Sequence, residues 1–272
     1  MDVNIYQVDA FTNEAFKGNP AGVCITEHGL DECMMLAIAA EMAVSETAFL
    51  ALDTMQLRWF TPEVEVRLCG HGTLATAHIL QQLGHYSRGD SIAFHTLSGV
   101  LTAELDYYCI HITLPAPELN MSAEANPELL RLLGIAQQHI VDYASFDNKQ
   151  LIVIDSEALL TALKPDFSGM AKLAGRGVLV TAKAETVDVV SRYFAPWVGV
   201  NEDPVTGSAH CALAVYWAEK LNKPRLQAFQ CSRRGGFVDV ELMQSGAVKL
   251  SGQAVTVLQG KMTIACENTK RY

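Results

Sequence analysis

The sequence predicts an α+β protein of two pseudo-symmetric lobes, each a sheet around a single long helix. Three observations predict it. Residues 68–80, LCGHGTLATAHIL, and residues 205–217, VTGSAHCALAVYW, are two glycine turns that open into small-residue helices, and Gly70 and Gly207 stand 137 residues apart in a chain of 272. The segment after each helix also repeats. AFHTLSGVLTAEL at 93–105 and AFQCSRRGGFVDVEL at 228–242 share an Ala-Phe pair, a glycine turn and an alternating strand ending Glu-Leu, with offsets of 135 at Ala93/Ala228 and 137 at Glu104/Glu241. The two-residue difference falls in the turn, where insertions cost little. Finally, the strand signals have period two and are rich in Val, Ile, Thr and Tyr, as in YYCIHITL and GAVKLSGQAVTVL. They alternate with one long helix per half rather than with many crossovers, which favours α+β lobes over a doubly wound sheet.

The first helix is expected from about Thr73 to Leu83, stopping at Gly84, and the second from about Ser208 to Leu221, stopping at Asn222; Gly and Asn are the usual residues just past a helix end. PAPELN at 115–120 carries two prolines and suits a linker. It divides the chain into an N-terminal lobe, 1–116, and a C-terminal lobe, 117–272, with the last strand free to return to the first lobe. GRGVLV at 175–180 bears glycine but leads into a strand, so it reads as a turn.

Composition narrows the function. A chain of this length exceeds the usual single core of about 100 to 150 residues, and half of its residues are apolar while 18% are charged, as in a well-packed globular protein. The formal charge of −10, with no basic cluster beyond Arg233-Arg234, excludes a nucleic-acid or anionic-membrane surface and points to small-molecule partners. Seven cysteines without paired spacing, and an N-terminus, MDVNIYQVDAF, without a basic start or apolar run, give the expectation of a reduced cytoplasmic protein. MMLAIAAEMAV is too short to span a bilayer.

A glycine turn that ends where a helix begins exposes N–H groups and the positive end of the helix dipole, which favour a bound anion. One such turn is equally well explained by a close helix–sheet contact. Two related by duplication and facing across a cleft suit a small carboxylate substrate, or an enolate forming from it. Ionisable groups flank both turns: Cys69 and His71 around Gly70, Glu202 and Asp203 before Gly207. Cys69, His71 and His78 lack the paired spacing of zinc ligands, so no metal is expected. His78, Cys109, His111 and Cys211 fall inside predicted helices or strands and are read as core or surface residues. No dinucleotide-binding, phosphate-loop or nucleophile-elbow motif is present, so no cofactor is expected.

Four ordered stretches carry a resemblance: DAFTNEAFKGNPAGV at 9–23, SETAFL at 45–50, RWFTPEVEVRLCGHGTLATAH at 58–78 and EDPVTGSAHCALAVYW at 202–217. Through them the chain resembles, nearly end to end, the PhzF-like isomerases of the phenazine-biosynthesis family, which share the diaminopimelate-epimerase fold. The resemblance implies lobes of curled, mostly antiparallel sheet around a central helix, an active site between them, and neither metal nor organic cofactor. It implies Glu46, after Ser45 of the SET motif, as the acid–base group, His71 and Asp203 as its catalytic partners, and Asn19 and Ser208 in the cleft. Read without it, Glu46 is a surface residue at a strand start. Epimerases of this fold use one thiol from each lobe. Here Cys69 stands in the CGHG turn, but PVTGS has no cysteine before its glycine and Cys211 lies a helical turn further in, which disfavours a two-thiol racemase. Cys69 remains either an acid or a small buried hydrophobe.

The expected function is therefore a cofactor-independent isomerase that moves a proton on a small carboxylate-bearing metabolite. Glu46 is its shuttle and His71 and Asp203 its positioning groups. Asn19, Ser45, Gly70, Gly72, Thr73, Thr206, Gly207 and Ser208 bind the substrate, partly through backbone N–H groups. An amino-acid racemase or epimerase of the same fold and a non-catalytic small-anion-binding protein are the alternatives, and a homodimer is left open.

Overall fold

The computed structural model describes residues 1–264. The first half runs β1 (Asp2–Ala10), β2 (Asn19–Thr26), α1 (Glu32–Met42), β3 (Glu46–Ala51), β4 (Gln56–Phe60), β5 (Glu65–Val66), α2 (Gly70–Gln82), β6 (Ser91–Thr96), β7 (Gly99–Leu105) and β8 (Ile110–Pro115). The second runs α3 (Pro127–Leu133), β9 (Ile140–Phe146), β10 (Lys149–Ile154), α4 (Glu157–Ala162), α5 (Phe167–Met170), β11 (Val178–Lys183), β12 (Val189–Ala195), β13 (Val200–Asp203), α6 (Gly207–Lys220), β14 (Arg225–Gln230), β15 (Gly236–Leu242) and β16 (Ala247–Gly252), followed by β17 (Ala254–Thr263).

The duplication read from the glycine turns is present in the strand pairings. Every pairing among β1 to β8 recurs eight strands later with the same sense: β1–β2 and β9–β10 are antiparallel, β2–β3 and β10–β11 parallel, β3–β4 and β11–β12 antiparallel. The series continues through β4–β5 and β12–β13, the parallel β4–β6 and β12–β14, then β6–β7–β8 and β14–β15–β16. A parallel pair needs a crossover, and helices supply them: α1 joins β2 to β3, α4 and α5 join β10 to β11, and α2 and α6 lie between the strands of the remaining two. The equivalent strands β8 and β16 pair antiparallel with each other, so one sheet runs through both halves. β17 has no equivalent and adds to β1, from Asp2 opposite Thr263 to Ala10 opposite Ala254.

Each half curls around its long helix. α2 buries Leu74, Ala75, Ala77, Ile79 and Leu80, and α6 buries Ala209, Cys211, Ala212, Leu213 and Ala214. Small residues on nearly all faces let the surrounding sheet close in, and a helix without a polar face is a buried one. Both helices share one apolar core. A second core lies under α3, α4 and α5, and a third lies under α1, where Met35 and Ile38 meet Phe49 and Phe60. The sequence predicts one helix per half and does not reveal α1, α3, α4 or α5. Both long helices also begin earlier than predicted. They start at Gly70 and Gly207 because Cys69 and Thr206 are their cap residues in extended backbone, which places the glycines in the first turn rather than before it. Their ends agree: Gly84 and Asn222 take the left-handed conformation that stops a helix, with φ of 78° and 49°. Among the described residues no helix is long and apolar enough to cross a membrane.

Candidate active site

The two glycine turns meet. A Cβ placed on Gly70 would lie 3.6 Å from the Gly207 Cα, and one on Gly207 would lie 3.5 Å from the Gly70 Cα, so α2 and α6 abut N-terminus to N-terminus at bare Cα atoms. Beside this contact is a cavity of about 100 Å³ whose polar wall is Glu46, Cys69, His71, Asp203, Thr206 and Ser208.

Glu46 opens β3, in register with Ala21 of the parallel β2, and its Oε2 stands 3.4 Å from His71 Nε2. On the other side of the ring, His71 Nδ1 is 3.5 Å from Asn19 Nδ2 and 3.6 Å from Cys69 Sγ. Asn19 is fully buried, and its Nδ2 donates at 2.8 Å both to Asp203 Oδ1 and to the Val205 carbonyl. Two acceptors therefore fix the amide with its N–H side toward the ring. The ring thus sits between the Asn19 amide on its Nδ1 side and the Glu46 carboxylate on its Nε2 side. Asp203, the last residue of β13, also accepts from the Thr206 hydroxyl. Burial pushes its carboxyl up to about 6, with the Glu46 charge adding to the rise and His71, Thr206 and Asn19 working against it. Burial likewise, then the Glu46 charge, holds the Cys69 thiol well above its ordinary range, so it stays protonated.

The two helix starts are not equivalent donors. The Gly72 N–H donates to Cys69 Sγ at 3.3 Å and the Thr73 N–H to the Cys69 carbonyl at 3.0 Å, so neither is free for a substrate, and the Thr73 hydroxyl also donates to that carbonyl at 2.7 Å. Gly72 and Thr73 are thus structural, contrary to expectation, because a thiol cap and the first helical turn consume their N–H groups. Thr206 makes no side-chain cap, which leaves the first turn of α6 without one at Gly207 and Ser208. The structure brings Glu46, Gly70, His71, Asp203, Thr206, Gly207 and Ser208 to one cavity with Asn19 directly behind, while the Ser45 hydroxyl is buried without a partner among the described residues. Glu202 turns away into a two-pronged pair with Arg192 at 2.7 and 3.0 Å.

Sequence reasoning missed Gln230, which accepts from the Thr206 N–H at 2.9 Å and donates to the Asp203 carbonyl at 2.6 Å, fixing the 203–206 turn. Nothing in AFQC distinguishes it from any polar strand residue. It also missed the apolar wall of Leu68 and Leu114. Glu46, Cys69 and His71 bring potential metal-ligand atoms within 4.8 Å of one another. Two positive helix ends make the place better suited to an anion than to a cation.

A two-lobed α+β fold with a carboxyl–imidazole–carboxyl set at facing helix starts defines the class as that of the epimerase-fold isomerases. Comparison with known proteins narrows it. Residues 8–260 match the PhzC-PhzF family model, described as phenazine biosynthesis-like protein. An uncharacterized isomerase of Halalkalibacterium halodurans is 49% identical over 97% of this chain and all of its own, and the human phenazine biosynthesis-like domain-containing protein is 39% identical over the same shares. A PhzF-family crystal structure from Enterococcus faecalis superposes with a TM-score of 0.90 at 38% identity, covering 97% of this chain and 100% of that one. A hydroxyproline epimerase from Agrobacterium vitis shares the fold alone, with a TM-score of 0.62 at 12% identity over 96% of this chain and 92% of its own. The chain belongs to the PhzC-PhzF family, and it is an isomerase.

Proposed function

We propose that this isomerase shifts a proton within a small carboxylate-bearing metabolite, with Glu46 as the group that removes and returns it. The observation that carries the reading is the approach of Glu46 Oε2 to His71 Nε2 at 3.4 Å across a cavity bounded by two helix starts. In the forward step the Glu46 carboxylate takes a proton from carbon, and the electron pair left behind moves into the adjoining unsaturated system as an enolate. The uncapped first turn of α6 receives that oxyanion or the substrate carboxylate, through N–H groups and the positive end of the dipole. The His71 Nε2–H orients Glu46 and stabilises its charged form before the step. Asp203, raised to about 6, supplies a carboxyl that is protonated in part near neutrality and can donate to a substrate oxygen. Glu46, now protonated, returns the proton to a second carbon on the same face, and the catalyst is regenerated.

Racemisation needs a second acid on the opposite face. The residue equivalent to Cys69 is Thr206, and its hydroxyl is committed to Asp203. The test is to incubate the protein in D2O with a panel of small unsaturated carboxylates and read deuterium uptake by NMR. Exchange with double-bond movement is expected, and Glu46→Gln should lower it by about 10²- to 10⁴-fold with little change in Tm. Deuterium washed into the α-carbon of amino acids with inversion would establish a racemase instead, and ligand binding without exchange would establish a binding protein. Undiminished turnover by the Gln variant would remove Glu46 from the mechanism.

A further inference from the structure

A second constellation lies on the outer face of the sheet, where the two halves join. The β7–β8 hairpin turns through residues 106–109, closed by the Asp106 N–H donating to the Cys109 carbonyl at 2.9 Å. His111 lies on β8, opposite Glu104 of β7 and Ser251 of β16, and Ser251 is in turn opposite Asp239 of β15. Its neighbours Ile110 and Ile112 point into the core, so His111 faces away from α2 and α6 and from the isomerase cavity. From the sequence alone, Cys109 and His111 are ordinary strand or surface residues.

We propose that Asp106, Cys109 and His111 form a binding site for a borderline-soft divalent cation of the zinc class, separate from the isomerase site. Their ligand atoms all lie within 4.8 Å of one another. His111 Nε2 is 3.5 Å from Asp106 Oδ2 and 3.8 Å from Cys109 Sγ. In a tetrahedral zinc site with bonds of about 2.0 to 2.3 Å, neighbouring ligand atoms stand about 3.3 to 3.6 Å apart. The two spacings from His111 Nε2 are within a few tenths of an ångström of these values, while Cys109 Sγ, equally 3.8 Å from Nδ1, must swing toward the Nε2 side and toward Asp106 to close the set. Two of the three ligands are also oriented by an outer partner. The Ser251 hydroxyl stands 2.6 Å from His111 Nδ1, an acceptor for the Nδ1 proton that leaves the Nε2 lone pair for a metal. Asp106 Oδ1 accepts the Tyr107 N–H at 2.6 Å, leaving Oδ2 directed at the ring. Thiolate, imidazole and carboxylate together are a zinc-class donor set, and three protein ligands leave a fourth position for water.

The surroundings permit entry and balance the charge. The site opens on a cavity of about 430 Å³ walled by Cys109, His111, Asp239 and Ser251, unlike the small cavity between the helix starts. Lys223, Arg225 and Lys249 also wall this cavity, and each is paired: Lys223 with Asp188 at 2.7 Å, and Arg225 and Lys249 with Glu241 at 3.0 and 3.9 Å. Binding displaces the Cys109 thiol proton to solvent, so affinity rises with pH.

The experiment uses the full chain titrated with Co(II), then displacement with Zn(II). One equivalent is expected, with a thiolate-to-cobalt charge-transfer band in the near ultraviolet that Zn(II) abolishes. Cys109→Ser should eliminate the band, and His111→Ala should weaken binding by about tenfold or more. Cys69→Ser, which alters the other potential ligand group, should leave band and stoichiometry intact. Absence of the band, or a band that survives in Cys109→Ser and disappears in Cys69→Ser, overturns the proposal. Melting curves of the variants, recorded without metal, confirm that each is folded.

Discussion

The start of α2 reads Cys69-Gly70-His71-Gly72-Thr73, and the start of α6, 137 residues on, reads Thr206-Gly207-Ser208-Ala209-His210. The two share their geometry. Each has the glycine at which the helices touch, and in each the fifth residue binds the cap carbonyl, through the Thr73 hydroxyl at 2.7 Å or through His210 Nδ1 at 2.8 Å. They differ in where the polar side chains point. Cys69 caps its own helix, whereas Thr206 gives its hydroxyl to Asp203 and leaves α6 uncapped. His71 faces Glu46, and Ser208 faces the cavity. The duplication has kept the framework, and the proposed mechanism divides the labour between its copies: one helix start would handle the proton, and the other would receive negative charge.

The largest expected effect comes from breaking that division. With the substrate found by deuterium exchange, His71→Gln should lower kcat by about 10²-fold or more with KM little moved, because the ring that orients Glu46 is lost. Ser208→Ala should raise KM by several-fold, to about tenfold, with kcat nearly kept, as expected for one hydrogen bond to a charged group. Steady-state kinetics distinguish the two. If both variants move the same parameter, the helix starts do not divide the work.

Next in size is a pH effect in which two buried groups at the α6 start, with no counterpart at the α2 start, oppose each other. Asp203 is raised from 3.8 to about 6 in the folded protein, so between these values the folded state binds more protons than the unfolded one, and stability falls as pH rises. His210 is lowered by burial from 6.5 to about 4, so over that range the unfolded state binds more protons, and stability falls as pH drops. Each contribution is on the order of 3 kcal/mol when complete. Urea unfolding from pH 4 to 7 should show Asp203→Asn gaining stability relative to wild type as pH rises, and His210→Gln gaining as pH falls. Parallel wild-type and variant curves would mean that neither group titrates where its surroundings place it.

Much of this was legible in the sequence because it is local. The glycine turns, the two long helices and their stops come from neighbouring residues, and the repeat comes from comparing two such stretches. Glu46 was not legible locally. It looks like an exposed residue at a strand start, and only the SETAFL resemblance singled it out; what turns it inward is the pairing of β3 with β2 and the helix starts beyond. Asn19 and Asp203 are 184 residues apart and meet only because the halves close on each other. The raised carboxyl of Asp203 is a property of that closure. α1 escaped notice because ECMMLAIAAEM is apolar on more than the face that buries Met35, Ile38 and Ala39, so its period is blurred. His111 alternates correctly along β8, but the approach of Cys109 and Asp106 to it depends on the 106–109 turn, whose geometry the residues alone do not state.

The smallest expected effect compares glycines within the matched starts. A Cβ on Gly72 would lie 2.9 Å from Trp59 Cδ1 and 3.0 Å from Cys69 Sγ, whereas one on Gly207 would find nothing nearer than Leu250 Cδ1 at 3.4 Å and the Gly70 Cα at 3.5 Å. Trp59 is fully buried in the shared core and cannot withdraw without disturbing it, and moving Cys69 breaks the cap on Gly72. Overpacking of this kind costs about 1 to 3 kcal/mol, offset by about 1 kcal/mol for replacing a helical glycine with alanine. Gly72→Ala should therefore lose about 1 kcal/mol in denaturant unfolding, and its loss is one of stability because Gly72 offers no donor to a substrate. Gly207→Ala gains the same helix preference without a clash, so its stability should stay within about 0.5 kcal/mol of wild type. Its KM should rise nonetheless, since the added methyl stands between the two helix starts, 3.5 Å from the Gly70 Cα, beside the uncapped turn. If Gly207→Ala instead loses stability with KM unchanged, the contact between the two glycines serves packing alone, and the anion-receiving role of the α6 start must be given up.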